Sequence, residues 1–191
     1  MVIKPSFNNV FYDTSYVSNN TTFSGRYGMG LSKATRKHLE SIVHPFMVTA
    51  DIDKELGMLR RMMLRDQHKT YGYPGARGKY NRLVTDCLDV LDTLYDQKTV
   101  VPNPDGSIYR YFRSRNFERI SDADCSLIAA ATLSAMQVDT ILFTRDFDLV
   151  RLARCINGYR SPLRYAPLHL AVANVDKNVM VGYGRYREAT L

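Results

Sequence analysis

The chain has 191 residues, 45% apolar and 24% charged, an ordinary globular composition that excludes wholesale disorder. Lys and Arg number 26 against 19 Asp and Glu, and the net charge of +7 suits an anionic partner. No apolar run is long enough to span a membrane, the first residues carry no secretory signal, and Cys87, Cys125 and Cys155 fit neither a disulfide framework nor a zinc site, so the expectation is a single domain over 1–191 in a reducing cytoplasm.

Asn9-Val10-Phe11-Tyr12-Asp13 predicts a short buried strand with Asp13 at its carboxyl end. Residues 18–30 read as loop, and Ser32 caps a helix over 33–44 that Pro45 stops. Phe46 to Thr49 is a second strand. Asp51 can cap the helix that follows, whose apolar face is Ile52, Leu56, Leu59 and Met63 and which runs to about residue 68. Residues 69–79 read as loop and 80–97 as helix. Pro102-Asn103-Pro104-Asp105-Gly106 is a strong turn signal, and the aromatic, basic run after it suits the return arm of a hairpin. Segments 66–80 and 98–119 look like insertions.

Ser121-Asp122-Ala123-Asp124 has capping-box spacing, and the Ala-rich body after it predicts a central, buried helix. Thr140 to Thr144 is a strand, and Asp146 starts a helix to about Cys155. Leu168 to Val175 and Asn178 to Tyr186 are two late strands. Strands alternating with helices predict an α/β, three-layer α/β/α sandwich with a mainly parallel sheet and a late antiparallel addition.

Ligands of parallel α/β sheets bind outside the carboxyl ends of the strands. Acids recur at those junctions: Asp13; Asp51, Asp53 and Glu55; Asp122 and Asp124; Asp146 and Asp148. Each has a structural reading as a cap or strand end. Together, carboxylates that repel one another call for a hard divalent cation, Mg²⁺ or Mn²⁺.

Four ordered stretches resemble the PIN-domain family of metal-dependent nucleases. They are Val10 to Ser15, Val48 to Leu56, Ser121 to Ala131, and Ile141 to Asp148. The resemblance implies Asp13, Glu55, Asp124 and Asp146 as an acidic quartet. Asp13, Asp124 and Asp146 would hold metal with Asp148 as auxiliary ligand. Thr14 or Ser15 would orient the first carboxylate and Thr144 the last. Asp122 competes with Asp124, because the local spacing admits a one-residue shift.

Metal ions held by carboxylates let water attack a phosphodiester without a nucleophilic side chain. His38, His44, His68 and His169 lack zinc-hydrolase spacing, and no serine lies in a GxSxG elbow. Arg60, Arg61 and further basic residues to Arg82 form one positive segment. Arg110, Arg113 and Arg115 interleave with Tyr109, Tyr111 and Phe112 in another, a pattern that fits phosphate neutralisation with base stacking and equally fits an edge hairpin with its aromatics packed inward. The expected activity is endoribonucleolytic, on single-stranded RNA. The rivals are a PIN-fold nucleic-acid-binding or scaffold protein without turnover, and a nuclease acting on DNA. Family analogy also admits a homodimer or a protein partner such as an antitoxin.

Overall fold

Stretches in which every residue is apolar or small must be covered on both faces, and they form the middle of the sheet. The computed structural model describes residues 7–17, 46–67, 92, 96–104, 106–115, 120–158, 168–174, 179–184 and 187. In chain order the elements are β1 (Asn9–Tyr12), the single turn α1 (Thr14–Val17), β2 (Phe46–Thr49), α2 (Ala50–Gln67), β3 (Thr99–Val101), α3 (Ser107–Arg113), α4 (Asp122–Ala135), β4 (Thr140–Thr144), α5 (Phe147–Arg154), a 3₁₀ turn at Cys155–Gly158, β5 (Leu170–Asn174) and β6 (Val179–Gly182). All residues of β4 and β5 are buried. The outermost strands β3 and β6 are partly or largely exposed.

The six strands form one sheet in the order β3-β2-β1-β4-β5-β6. The first five run parallel, and β6 returns antiparallel to β5. The chain is thus α/β with a mainly parallel mixed sheet and the expected late antiparallel pair. Val10 pairs with Phe46 on one side and Ile141 on the other. From β1 the strands step outward through β2 to β3; β4 then returns beside β1, and the order steps the other way. The reversal falls between β1 and β4, where such sheets place their ligands.

Helix α4 packs against β1, β2, β4 and β5. Its Ala129 and Ala131 are fully buried, so small side chains let the helix lie close to the sheet. Its start is fixed by a capping box: Ser121 Oγ accepts from the Asp124 backbone N–H at 3.1 Å, and Asp124 Oδ2 accepts from the Ser121 backbone N–H at 2.8 Å. Helix α5 buries Leu149, Val150, Leu152 and Ala153 along one side.

Three expectations change. The run after Gly106 is helix α3, not a hairpin arm. Ile108 and Phe112 stand four residues apart and are both buried, a helical period that packs onto α4. Gly106 has φ 120°, a conformation that favours glycine, and it is the N-cap of that helix. Helix α2 begins at Ala50, one residue before Asp51, with Thr49 Oγ1 accepting from the Ile52 N–H at 3.5 Å. The first late strand starts at Leu170, not Leu168, and the second ends at Gly182, with Tyr183 and Gly184 outside it; the other expected boundaries lie outside the described residues. The expected helix over 33–44, the loops 18–30 and 69–79, and most of the 80–97 helix and the 66–80 insertion lie outside the described residues. No described helix is long and apolar enough to cross a membrane.

Replacing Ser121 with Ala removes the Oγ that accepts from the Asp124 N–H, while the residue-121 backbone N–H can still donate to Asp124, and should cost about 1 kcal/mol. Urea unfolding measures this directly, and a midpoint unchanged from wild type would mean that the Ser121 side chain contributes nothing to α4.

Candidate functional site

The register of β1 against β4 carries Asp13 and Thr144 to the same sheet edge. Asp13 continues the β1 ladder, its N–H donating to Phe143 O at 3.0 Å. Its side chain is buried, with 4% exposure. A buried carboxylate requires donors. Asp13 Oδ2 accepts from Thr144 Oγ1 at 2.7 Å and from Ser15 Oγ. Each hydroxyl in turn accepts from the β4–α5 junction: the Arg145 N–H donates to Ser15 Oγ at 3.0 Å, and the Asp146 N–H to Thr144 Oγ1 at 2.9 Å. Asp146 caps α5 by accepting from the Asp148 N–H at 2.8 Å.

Glu55 comes from α2. It accepts from Thr14 Oγ1 at 2.8 Å, which ties the second helix to the turn after β1. Asp124 comes from the start of α4 and also accepts from Ser121 Oγ at 2.8 Å.

These acids sense one another. Burial pushes the Asp13 carboxyl up to about 7; repulsion from Asp124 and Asp146 adds to this, and the Ser15 and Thr144 hydroxyls oppose it. Burial also raises Glu55, opposed by Thr14 and assisted by Asp124 and Asp51. Asp124 is raised by burial, opposed by its Ser121 donors and assisted by Asp146 and Asp148. Asp124 is the link within the implied quartet: it raises both Asp13 and Glu55, and Asp146 raises Asp13 and Asp124.

The remaining acids divide from this group by their partners. Asp51 is held by Asn103, which donates from Nδ2 at 2.6 Å, and by Lys54 at 3.1 Å; both lower its pKa. Asp53 pairs with Lys98, and Asp148 with Arg151 at 3.2 Å. Asp122 pairs with Arg113 at 2.6 Å and accepts from Tyr109 Oη at 3.3 Å on the surface. Among the described residues, Asp13, Glu55, Asp124 and Asp146 make no ion pair; hydroxyls and backbone N–H groups hold them instead. Of the two competitors at the start of α4, Asp124 joins the group and Asp122 is engaged elsewhere.

Oxygen donors without resident cations are the chemistry a hard divalent ion selects. Among the described residues, no three His, Cys, Asp or Glu side chains stand as a group that could hold an ion. The donor set thus fits Mg²⁺ or Mn²⁺ in its chemistry, without three ligands already gathered.

The expected nucleic-acid residues scatter. Arg60 pairs with Asp92 at 2.5 Å, and Arg61 is exposed on α2. Arg110 is exposed on α3, its Nε donating to Gly106 O at 3.4 Å. Tyr111 donates to Cys155 O at 2.6 Å, and the Arg115 guanidinium lies 4.0 Å over its ring. Phe112 is in the core, at 1% exposure, and offers no face to a base. Asn103 and Lys98 are residues that motif reading missed; they secure Asp51 and Asp53, and their only sequence signal is a position flanking a short strand.

Neither a family model, nor a curated protein, nor a solved structure matches this chain.

The raised Asp13 pKa sets a sign for stability against pH. Unfolded, Asp13 titrates near its ordinary 3.8; folded, it holds its proton up to about 7. Between those values the native state binds more protons, so metal-free protein should lose stability as pH rises from about 4 to about 7 and then level off. Glu55 and Asp124, also raised, act in the same direction. Asp13→Asn should flatten the slope, as read by urea unfolding in EDTA at pH 5 and pH 8. Equal slopes in the two proteins would remove Asp13 as its source.

Proposed function

We propose that the chain is a PIN-like, metal-dependent endoribonuclease with a three-layer sandwich architecture. The observation that carries this reading is the group of four acids at the β1/β4 edge, mutually repelling and held by neutral donors. Such a group is costly for a fold that has no use for it, whereas Asp51, Asp53 and Asp122 are each paired with a Lys or Arg. The ordered resemblance of four sequence stretches to PIN nucleases supplies the reaction class.

In this reading Asp13, Asp124 and Asp146 would hold Mg²⁺ or Mn²⁺, with Asp148, which meets Arg151, auxiliary. An ion held there would supply charge neutralisation at the phosphate and a water of lowered pKa. The protein's own contribution is orientation. Ser15 and Thr144 fix the Asp13 carboxylate, and the two helix caps fix Asp124 and Asp146. Glu55, half-buried and with its carboxyl raised by burial, is the candidate proton acceptor of the group. Arg61 and Arg110, exposed and basic, favour an RNA backbone over a neutral substrate.

Purified protein should cut single-stranded RNA with Mg²⁺ or Mn²⁺ and not in EDTA. Asp13→Asn and Asp146→Asn should lower cleavage by orders of magnitude while leaving the fold intact. Asp122→Asn should cut nearly as wild type. Equal cutting by wild type and both site variants would assign the activity to a contaminant. Absence of cutting on any RNA would favour a binding or scaffold protein, and cutting of DNA alone would move the substrate class.

Metal binding should also register without turnover. About 10 mM Mg²⁺ on a site of roughly 1 mM affinity stabilises by about 1.4 kcal/mol, a melting rise of about 2–5 °C. Asp146→Asn should lose most of that rise and Asp122→Asn should keep it. Identical rises in all three proteins, read by differential scanning calorimetry, would mean that these acids do not bind the ion.

A further inference from the structure

Phe147 is the first residue of α5, set between Asp146, which caps that helix, and Asp148. It is 41% exposed, and it is the one aromatic among the large apolar side chains that are exposed in the described residues. The apolar side of α5 is complete without it. Leu149, Val150, Leu152 and Ala153 face the core, and at 100° per residue Phe147 projects to the opposite side. There it shares a face with Arg151, four residues on and also exposed. Folding therefore gains little from an aromatic ring at this position.

The surroundings limit what the ring can do. Asp146 caps the helix and Asp148 meets Arg151 at 3.2 Å, so the cation on this face is already engaged and offers a phosphate backbone little. A strand brought here needs a contact that carries no charge. An aromatic face supplies one by stacking on an unpaired base, and it does so whatever the base is.

We propose that Phe147 is a positioning residue that stacks on an unpaired base of single-stranded RNA and so holds the neighbouring phosphodiester against the carboxylates. This rests on the nuclease reading and adds to it a recognition element that requires unpaired bases. A duplex, its bases already stacked, is disfavoured by the same contact.

The chain has no tryptophan, so Phe147→Trp introduces a sole tryptophan at the position in question, excited selectively at the red edge over the chain's 13 tyrosines. In EDTA, where turnover is blocked, a uridine oligomer should quench that tryptophan to saturation. An abasic oligomer of equal length and charge should quench it little. Phe147→Ala, at an exposed site that tolerates truncation, should raise KM for RNA on the order of ten-fold with kcat changed less than about two-fold, and Phe147→Tyr should restore KM. Equal quenching by both oligomers, or by neither, overturns the stacking contact, as does a wild-type KM in Phe147→Ala. With wild-type RNA cleavage intact, those results remove this inference alone. If wild type cuts no RNA with either metal, the nuclease reading falls; base-dependent quenching would then still uphold stacking, in a protein that binds without cutting.

Discussion

A carboxylate buried at the end of a central strand governs the arrangement around it. Taking Asp13 out of water is costly, and the two hydroxyls that compensate come from opposite sides of the strand reversal: Ser15 from the turn after β1, and Thr144 from the end of β4. Because each hydroxyl also accepts a backbone N–H from the β4–α5 junction, the two crossings of the sheet are joined by a relay of polar bonds. Asp146 then inherits its position from Thr144, and α5 its start from Asp146. The aromatic packing of Tyr12 with Phe46, Phe143 and Tyr16 keeps the same strand ends close by apolar contact.

The acids of the chain separate by what holds them. Those that fasten outer segments have cations or amides as partners: Asp51 with Asn103, Asp53 with Lys98, Asp122 with Arg113. Those at the reversal have hydroxyls and backbone N–H groups, donors that orient a carboxylate without cancelling its charge. This distinction separates Asp122, paired with Arg113, from Asp124, held by Ser121. Two residues apart at the start of a helix, they point to different neighbourhoods.

The central strands were legible because a parallel sheet covered on both faces leaves continuous apolar runs, as in Thr140 to Thr144 and Leu170 to Asn174. The capping box at Ser121 and the cap at Asp146 were legible because side-chain capping needs particular residues at particular offsets. The segment after Gly106 was misread because Ile108, Tyr109, Tyr111 and Phe112 carry strand-forming character. Only the four-residue spacing of the two that are buried marks a helix, and α4 supplies the surface that makes this decisive. The order β3-β2-β1-β4-β5-β6 was not legible, since strand order depends on long connections rather than on the strands. The acids could be named from sequence. Which of them the packing pairs with a Lys or Arg could not, because those partners come from other elements.

The margin of the sheet carries a different lesson. Among the described strands β3 is an outer one, three residues long and exposed at Val100, with backbone donors and acceptors on one side that no described strand pairs. An open edge of this kind is a template for a strand from another molecule. Here Lys98, held against Asp53, precedes it, and Pro102, which has no N–H to offer, follows it. The stretch left between them is too short to recruit a long intruding strand, so Lys98, which also holds Asp53 of α2, bounds the pairing available at this edge.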